Sequence, residues 1–248
     1  MVPATVLGKA LTVLQAFTVE DTELGFAELG RRTGLAKATL HRTLAELLEH
    51  RLLERPDGRY RLSGLVFELG MRAAVGRSLL EVAAPYLEDL FVRTRETVHL
   101  GVREGTEVVY VAKSGGHRQV DAPSRLGGRM PLHATAIGKV LLAHAPPDVR
   151  ETVLRGRPAR LTPRTVVNVE VLRRQLDRVH ERGVALEHEE SAVGVTCVAA
   201  VVADREGGAH AAVSVTGPVH RFDPERHLDA VRAAGAGIAS MLARGRSG

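Results

Sequence analysis

Between residues 6 and 62, four local signals follow one another in an order that few architectures accept. Phe26–Thr33 reads as a short amphipathic helix, closed by Gly34, since a helix often ends on a residue in the left-handed region that only glycine enters freely. Leu40, Leu44, Leu47 and Leu48 then form one apolar stripe of helical spacing, opposite Lys37, Thr39, His41, Arg42 and Glu46. Leu52–Leu62 places Pro56-Asp57-Gly58 between two short alternating runs. Proline fixes φ and glycine tolerates positive φ, so this is a hairpin with Arg55, Arg59 and Arg61 at or near its tip. A further helix over about 6–19 carries Val6, Ala10, Leu11, Val13, Leu14 and Phe17 at helical spacing. Three helices followed by such a hairpin make a winged helix-turn-helix.

That motif lays its last helix in the major groove of duplex DNA and reads bases near the helix N-terminus. Lys37, Ala38, Thr39, His41 and Arg42 occupy that end. Lys37 and Thr39 reach base edges or phosphate, and Arg42 clamps phosphate. Alanines at 36 and 38 let the backbone approach closely enough for methyl contacts to thymine. Arg55, Arg59 and Arg61 are the wing's candidates. Residues 36–61 hold six cations (Lys37, Arg42, Arg51, Arg55, Arg59, Arg61) against four acids (Glu46, Glu49, Glu54, Asp57). A net +2 binds one half-site weakly, so useful affinity for double-stranded operator DNA requires a homo-oligomer, at the least a dimer.

Composition narrows the rest. At roughly 100–200 residues per domain, 248 residues make two domains. The formal charge of +5 suits a polyanionic partner. Five Phe, three Tyr and no Trp argue against single-strand binding on stacked aromatics. The lone Cys197 can form no disulfide within the chain and no zinc finger. No apolar run approaches the roughly 18–20 residues of a membrane span, and the first residues lack a signal peptide's pattern. A cytoplasmic protein with no membrane partner, no cofactor and no metal is expected.

Ser63 is positioned as an N-cap for a linker helix over Gly64–Val75, carrying Leu65, Val66, Leu69 and Ala73, with a break at Gly76. Beyond it the chain reads as a helix over about 78–95, then strands Thr97–Arg103 and Glu107–Ser114 joined at Glu104-Gly105-Thr106. An irregular His117–Met130 precedes a helix over Ala134–His144 and a Pro- and Arg-rich stretch. Asn168 caps a helix of about 169–182 that Gly183 closes. Strands Val184–Glu189, Cys197–Ala203 and His210–Thr216 and a helix over Glu225–Leu242 complete the pattern. Hairpin strands with helices grouped beside them indicate an α+β fold. Two domains joined by a linker are expected: a winged unit over 1–63, a linker helix over 64–77, and an effector-binding and oligomerisation unit over 78–248.

In the second unit, His133-Ala134-Thr135-Ala136 lies where a loop becomes a helix, and unpaired N–H groups there favour a carboxylate. Ser214 and Thr216 face the same way on one strand, and Cys197 and Ala199 do so on another. Such a wall suits a small carboxylate or a polar aromatic. His133 is either a pocket donor or a satisfied structural histidine. Cys197 is either a pocket thiol or a buried small apolar group. Ser214 and Thr216 either face a ligand or bond locally, and Lys139, inside a helix, is better suited to a salt bridge than to a ligand. The nine cations between Arg150 and Arg182, set against four acids, read as a solvated surface.

The sequence resembles the IclR family of bacterial transcriptional regulators along almost its whole length. The carrying stretches are Thr33-Gly34-Leu35, Thr39-Leu40-His41-Arg42-Thr43-Leu44, Arg59-Tyr60-Arg61-Leu62 and Glu96-Thr97-Val98-His99-Leu100. Pro131 through Lys139, Gly194 through Ala200 and Ser214-Val215-Thr216-Gly217-Pro218 complete them. Ala36 departs from the family's frequent Pro, and Ser63 from its usual Gly. The resemblance implies a C-terminal GAF-like effector-binding domain with an antiparallel sheet, and oligomers that repress or activate genes in response to small organic acids. It also implies Met130, Ala136, Ile137, Glu187, Val195, Cys197, Ser214 and Thr216 as the effector-pocket wall. Glu187 stands where other members often carry Asp.

Two other readings concern the second unit. It could serve oligomerisation alone. It could instead be an enzyme with Cys197 activated by His188 or His210, but no nucleophile elbow, phosphate loop or His-Glu-x-x-His motif is present. No catalytic residue is assigned and the chain is expected not to be an enzyme.

Overall fold

The computed structural model describes residues 5–18, 20–72, 77–115, 123–204 and 206–245. The chain divides into two compact units, residues 1–74 and 75–248.

The first unit opens with α1 (Val6–Gln15), whose Thr5 hydroxyl accepts the Gly8 N–H at 3.0 Å. The helix stops short of the expected residue 19. The Thr18 N–H and hydroxyl both bond the Asp21 carboxylate, at 2.8 and 2.7 Å, and draw the chain out of the helix. α2 (Phe26–Thr33) ends on Gly34, which at φ 65° returns its N–H to the Gly30 carbonyl. α3 (Lys37–Glu49) follows and buries Leu40, Thr43, Leu44 and Leu47. Val13, Leu24, Leu29, Leu35, Leu53 and Tyr60 join those leucines in one core, and each fully buried leucine contributes about 1.5–3 kcal/mol.

The wing is shorter than its sequence pattern suggests: β1 (Leu53–Glu54) and β2 (Arg61–Leu62) have two residues each. Its turn also differs. Asp57 and Gly58 both take positive φ, 46° and 80°, and the Arg59 N–H bonds the Pro56 carbonyl at 2.9 Å. Proline therefore precedes an Asp-Gly turn whose twist matches the strands. Leu24 and Tyr60 exchange two backbone bonds of 2.8 Å, fastening the wing to the approach to α2. α4 (Gly64–Met71) begins after Ser63, but the Ser63 hydroxyl donates to the Arg51 carbonyl and caps nothing. Ala73, Val75 and Gly76 lie outside the described residues.

The second unit is built on a six-stranded antiparallel sheet in the order β5-β4-β3-β8-β7-β6, formed by β3 (Thr97–Glu104), β4 (Glu107–Ser114), β5 (Arg129–Pro131), β6 (Val184–His188), β7 (Val195–Ala203) and β8 (Ala209–Pro218). The pleat sorts side chains to two faces. Val98, Leu100, Val198, Ala200, Val213 and Val215 pack with α5 (Arg77–Thr94) and α9 (Leu228–Gly245). Val108, Tyr110, Cys197, Ala199 and Ala212 pack with α6 (Ala136–Ala143) and α8 (Val169–Arg182). The Asn168 cap and the Gly183 stop of α8 lie where the sequence places them. The Pro- and Arg-rich stretch holds a helix that its composition hides, α7 (Pro147–Arg155), because proline at the first helical position gives up only an N–H that would be unpaired anyway. Part of the His117–Met130 segment lies outside the described residues, and its end forms β5.

Two glycines press α6 onto its surroundings. A Cβ on Gly138 would lie 2.3 Å from the Leu132 carbonyl oxygen, and one on Gly101 would lie 2.8 Å from Ile137. No helix among the described residues is long and apolar enough to cross a membrane.

Candidate nucleic-acid interface and effector cavity

In the winged unit, Lys37, Ala38, His41 and Arg42 are exposed along the outer side of α3, with Thr39 half-buried beside them. Among the described residues the Lys37 and Arg42 side chains have no ion pair or hydrogen bond, while the His41 ring lies 6.3 Å from Phe26. The three wing arginines are each engaged. Arg55 lies 5.1 Å over the Tyr60 ring. Arg59 donates to the Glu23 carbonyl at 3.1 Å, and Arg61 donates twice to Glu54, at 2.8 and 2.6 Å. Arg32 ties the end of α1 to α2 by bonding Asp21, Glu28 and the Ala16 carbonyl. Arg31 and Arg32 together hold the Glu28 carboxyl down at about 2.

In the second unit, one cavity lies between the start of α6 and the facing strands. Eight of the nine sequence candidates meet on it: Met130, Ala136, Ile137, Glu187, Val195, Cys197, Ser214 and Thr216. His133 does not. Its ring Nε2 bonds the Ala159 carbonyl at 2.9 Å, away from the cavity wall. Burial holds its pKa below the ordinary histidine value.

The Thr135 hydroxyl caps α6 by accepting the Gly138 N–H at 2.9 Å. The amides of Ala136 and Ile137, the first two of the helix, have no acceptor among the described residues. Opposite them, the β6–β7 register pairs Glu187 with Cys197, and the β7–β8 register pairs Cys197 with Thr216. The Thr216 hydroxyl donates to the Cys197 sulfur at 3.1 Å. Burial, aided by Glu187, pushes the thiol up to about 12. His188 is exposed and lies 3.8 Å from Glu189, and His210 sits at the far end of β8, so neither reaches the sulfur to act as a base. Lys139 does form a salt bridge, a buried one with Glu190.

Sequence reasoning missed Tyr110, Pro123, Ser124 and Ser191 on the wall, and named Thr135 only within the stretch where a loop becomes a helix. Tyr110 was findable, since it alternates with Val108 and Ala112, and Thr135 has the type and place of an N-cap. Ser124 and Ser191 sit in irregular segments with no periodic signal. Near them His99 is fully buried: its Nε2 bonds Ser124 at 3.0 Å, and its Nδ1 has no partner among the described residues. Burial keeps it neutral, with a pKa pushed down to about 3. The free space at the cavity's centre is about 20 Å³, room for roughly one water. Among the described residues no cluster of three His, Cys, Asp or Glu side chains could hold a metal.

Residues 6–57 match the IclR helix-turn-helix domain, and residues 71–240 match the bacterial transcriptional regulator IclR C-terminal domain. The chain is 37% identical over 221 residues to the HTH-type transcriptional regulator KdgR of Escherichia coli (strain K12), covering 88% of this chain and 84% of that protein. It is 36% identical over 218 residues to XynR of the same organism, covering 87% and 86%. Among solved structures, an IclR homologue from Microbacterium hydrocarbonoxydans complexed with 4-hydroxybenzoate superposes with a TM-score of 0.89 at 34% identity, over 97% of this chain and all of that one. With both of its parts matched and relatives that are transcriptional regulators, the chain belongs to the IclR family of bacterial transcriptional regulators.

Proposed function

We propose that α3 reads operator DNA and that the cavity of the second unit admits a small carboxylate, of the size and polarity of a hydroxybenzoate, which alters operator binding. The observation that carries this reading is the pair of open amides at the start of α6. They face a wall of hydroxyls, a neutral thiol and a buried carboxyl. A helix N-terminus with two unused donors favours an anion. Ser214, Thr216 and Tyr110 offer hydrogen bonds to the rest of the ligand. The bound 4-hydroxybenzoate of the Microbacterium protein supports the same ligand class.

With so little central space the ligand must displace side chains. Met130, half-buried on the three-residue edge strand β5, is the least constrained of them. The division of labour follows the sequence reading: a winged unit over 1–63, a linker over 64–77 and a sensing and oligomerisation unit over 78–248. The chain works as a dimer or tetramer. The exposed apolar side chains of α1 (Val6, Leu7, Leu11) and α4 (Phe67, Leu69) support self-association. An effector shifts operator affinity only by binding two arrangements of the oligomer unequally.

Thermal shift with a panel of small organic acids tests the sensing part. A ligand at 100 times its Kd adds about 2.7 kcal/mol, and a panel that leaves the midpoint unmoved favours the oligomerisation-only reading.

A further inference from the structure

The two oxygens of Glu187 are held differently. Oε1 accepts the N–H groups of Glu190 and Ser191, the latter at 2.9 Å, and the Ser191 hydroxyl at 3.4 Å. Oε2 has no partner among the described residues, although the side chain is only 2% exposed and lines the cavity. The carboxyl is thus fixed by one oxygen and presents the other to whatever enters.

The charges around it are few. From α6 comes Lys139, already committed to the Glu190 carboxylate. From the loop after β6 come Glu190 itself and Glu189, the latter turned to Arg164 at 2.8 Å. β7 presents the Cys197 thiol and β4 presents Tyr110, both pushed up by burial and neutral. His99 of β3 and His133 before α6 are pushed down by burial. α8 buries only Leu172, Leu176 and Val179. If ionised, Glu187 would leave the buried cluster with two carboxylates against one ammonium. A ligand carboxylate would add a third negative charge within the same small cavity, where water cannot screen it.

Resting on the effector reading above, we infer that Glu187 receives the ligand as a neutral carboxylic acid, so that binding of an organic anion in this cavity takes up a proton. Oε2–H then donates to a ligand oxygen, and Oε1 keeps its three donors. Burial, reinforced by Glu190, raises the Glu187 pKa to about 7, which makes it the cavity group that titrates near neutrality. The extra methylene relative to aspartate carries the acid further into the space that the ligand must use.

The test is titration calorimetry on the full chain with 4-hydroxybenzoate and with benzoate, at pH 6 and pH 8.5, in two buffers of different ionisation enthalpy. Benzoate controls for the phenol's own ionisation. At pH 8.5 each chain takes up close to one proton on binding, and affinity falls about tenfold per pH unit above the Glu187 titration. Glu187→Gln, a permanent neutral mimic, still binds, and loses both the proton uptake and the pH dependence. The carboxyl carbon of Glu187, followed by NMR in the unliganded wild type, titrates near neutrality. Binding without proton uptake, or a carboxyl carbon that titrates in the ordinary glutamate range, overturns the inference and leaves the effector reading standing. No binding of either acid at either pH overturns the effector reading for this class and the inference with it.

Discussion

The two units both carry exposed ion pairs, but among the described residues only the second one buries a pair completely. In the winged unit the ion pairs all keep some exposure to water: Arg31 and Arg32 reach Glu28 from the same helix, Arg32 also reaches Asp21, Arg59 reaches Glu23, and Arg61 reaches Glu54 across a tiny hairpin. In the second unit the central pair, Lys139 and Glu190, is buried and joins residues 51 positions apart. Exposed pairs are cheap to lose and leave other cations free for phosphates. A buried pair costs a great deal to break, because the surviving charge has no water to turn to. One unit is built to offer charge to a partner, and the other to hold a few polar groups in place around a cavity.

The sharpest way to break this contrast is Lys139→Met. It strands the Glu190 carboxylate, and about 3–5 kcal/mol of stability should be lost in chemical denaturation of the second unit. A loss comparable with that of an exposed pair would contradict the burial argument. Next comes the pH dependence of Glu187. Its folded-state pKa of about 7 lies above the ordinary 4.5, so the folded state binds the proton more tightly than the unfolded chain does. Stability from this group is therefore full below about 4.5, falls as pH rises to about 7, and stays lost above that, a change on the order of 3 kcal/mol. Glu187→Gln should flatten this slope and melt above the wild type at pH 8. Equal slopes in the two proteins would deny the raised pKa.

On the winged unit, Arg42→Ala should weaken binding to all duplexes alike and lower the salt slope by about 1. Arg61→Ala removes a guanidinium already occupied by Glu54 and should change the slope less. The reverse order, measured by fluorescence anisotropy across salt concentrations, would show that the wing outranks the helix. The smallest effect is local. Ala36 is the N-cap of α3 yet has no side-chain acceptor to offer, so Ala36→Ser should stabilise the unit by about 1 kcal/mol in urea unfolding.

The same contrast explains how much the sequence alone discloses. The Gly34 and Gly183 stops, the α3 stripe and the Asn168 cap depend on neighbours within a few residues, and all were legible. The end of α1 was not, because the Asp21 side chain draws the chain away there. The short α7 was hidden by prolines and arginines that suggest a loop. In the cavity, strand alternation put Ser214 with Thr216 on one strand and Cys197 with Ala199 on another, and the family resemblance joined them, but neither could bring Ser124 or Ser191 to them, because irregular segments carry no period. His133 shows the same limit, since its partner, the Ala159 carbonyl, lies 26 residues away in a segment without regular structure.

The most direct test of the whole reading is fluorescence anisotropy of the full chain on the promoter of its own gene and on random duplex, at physiological ionic strength, with and without 4-hydroxybenzoate. The account expects the promoter to be preferred by about a thousandfold or more, and the ligand to shift promoter affinity by at least about fivefold. Equal affinity for promoter and random duplex, unchanged by the ligand, would contradict it.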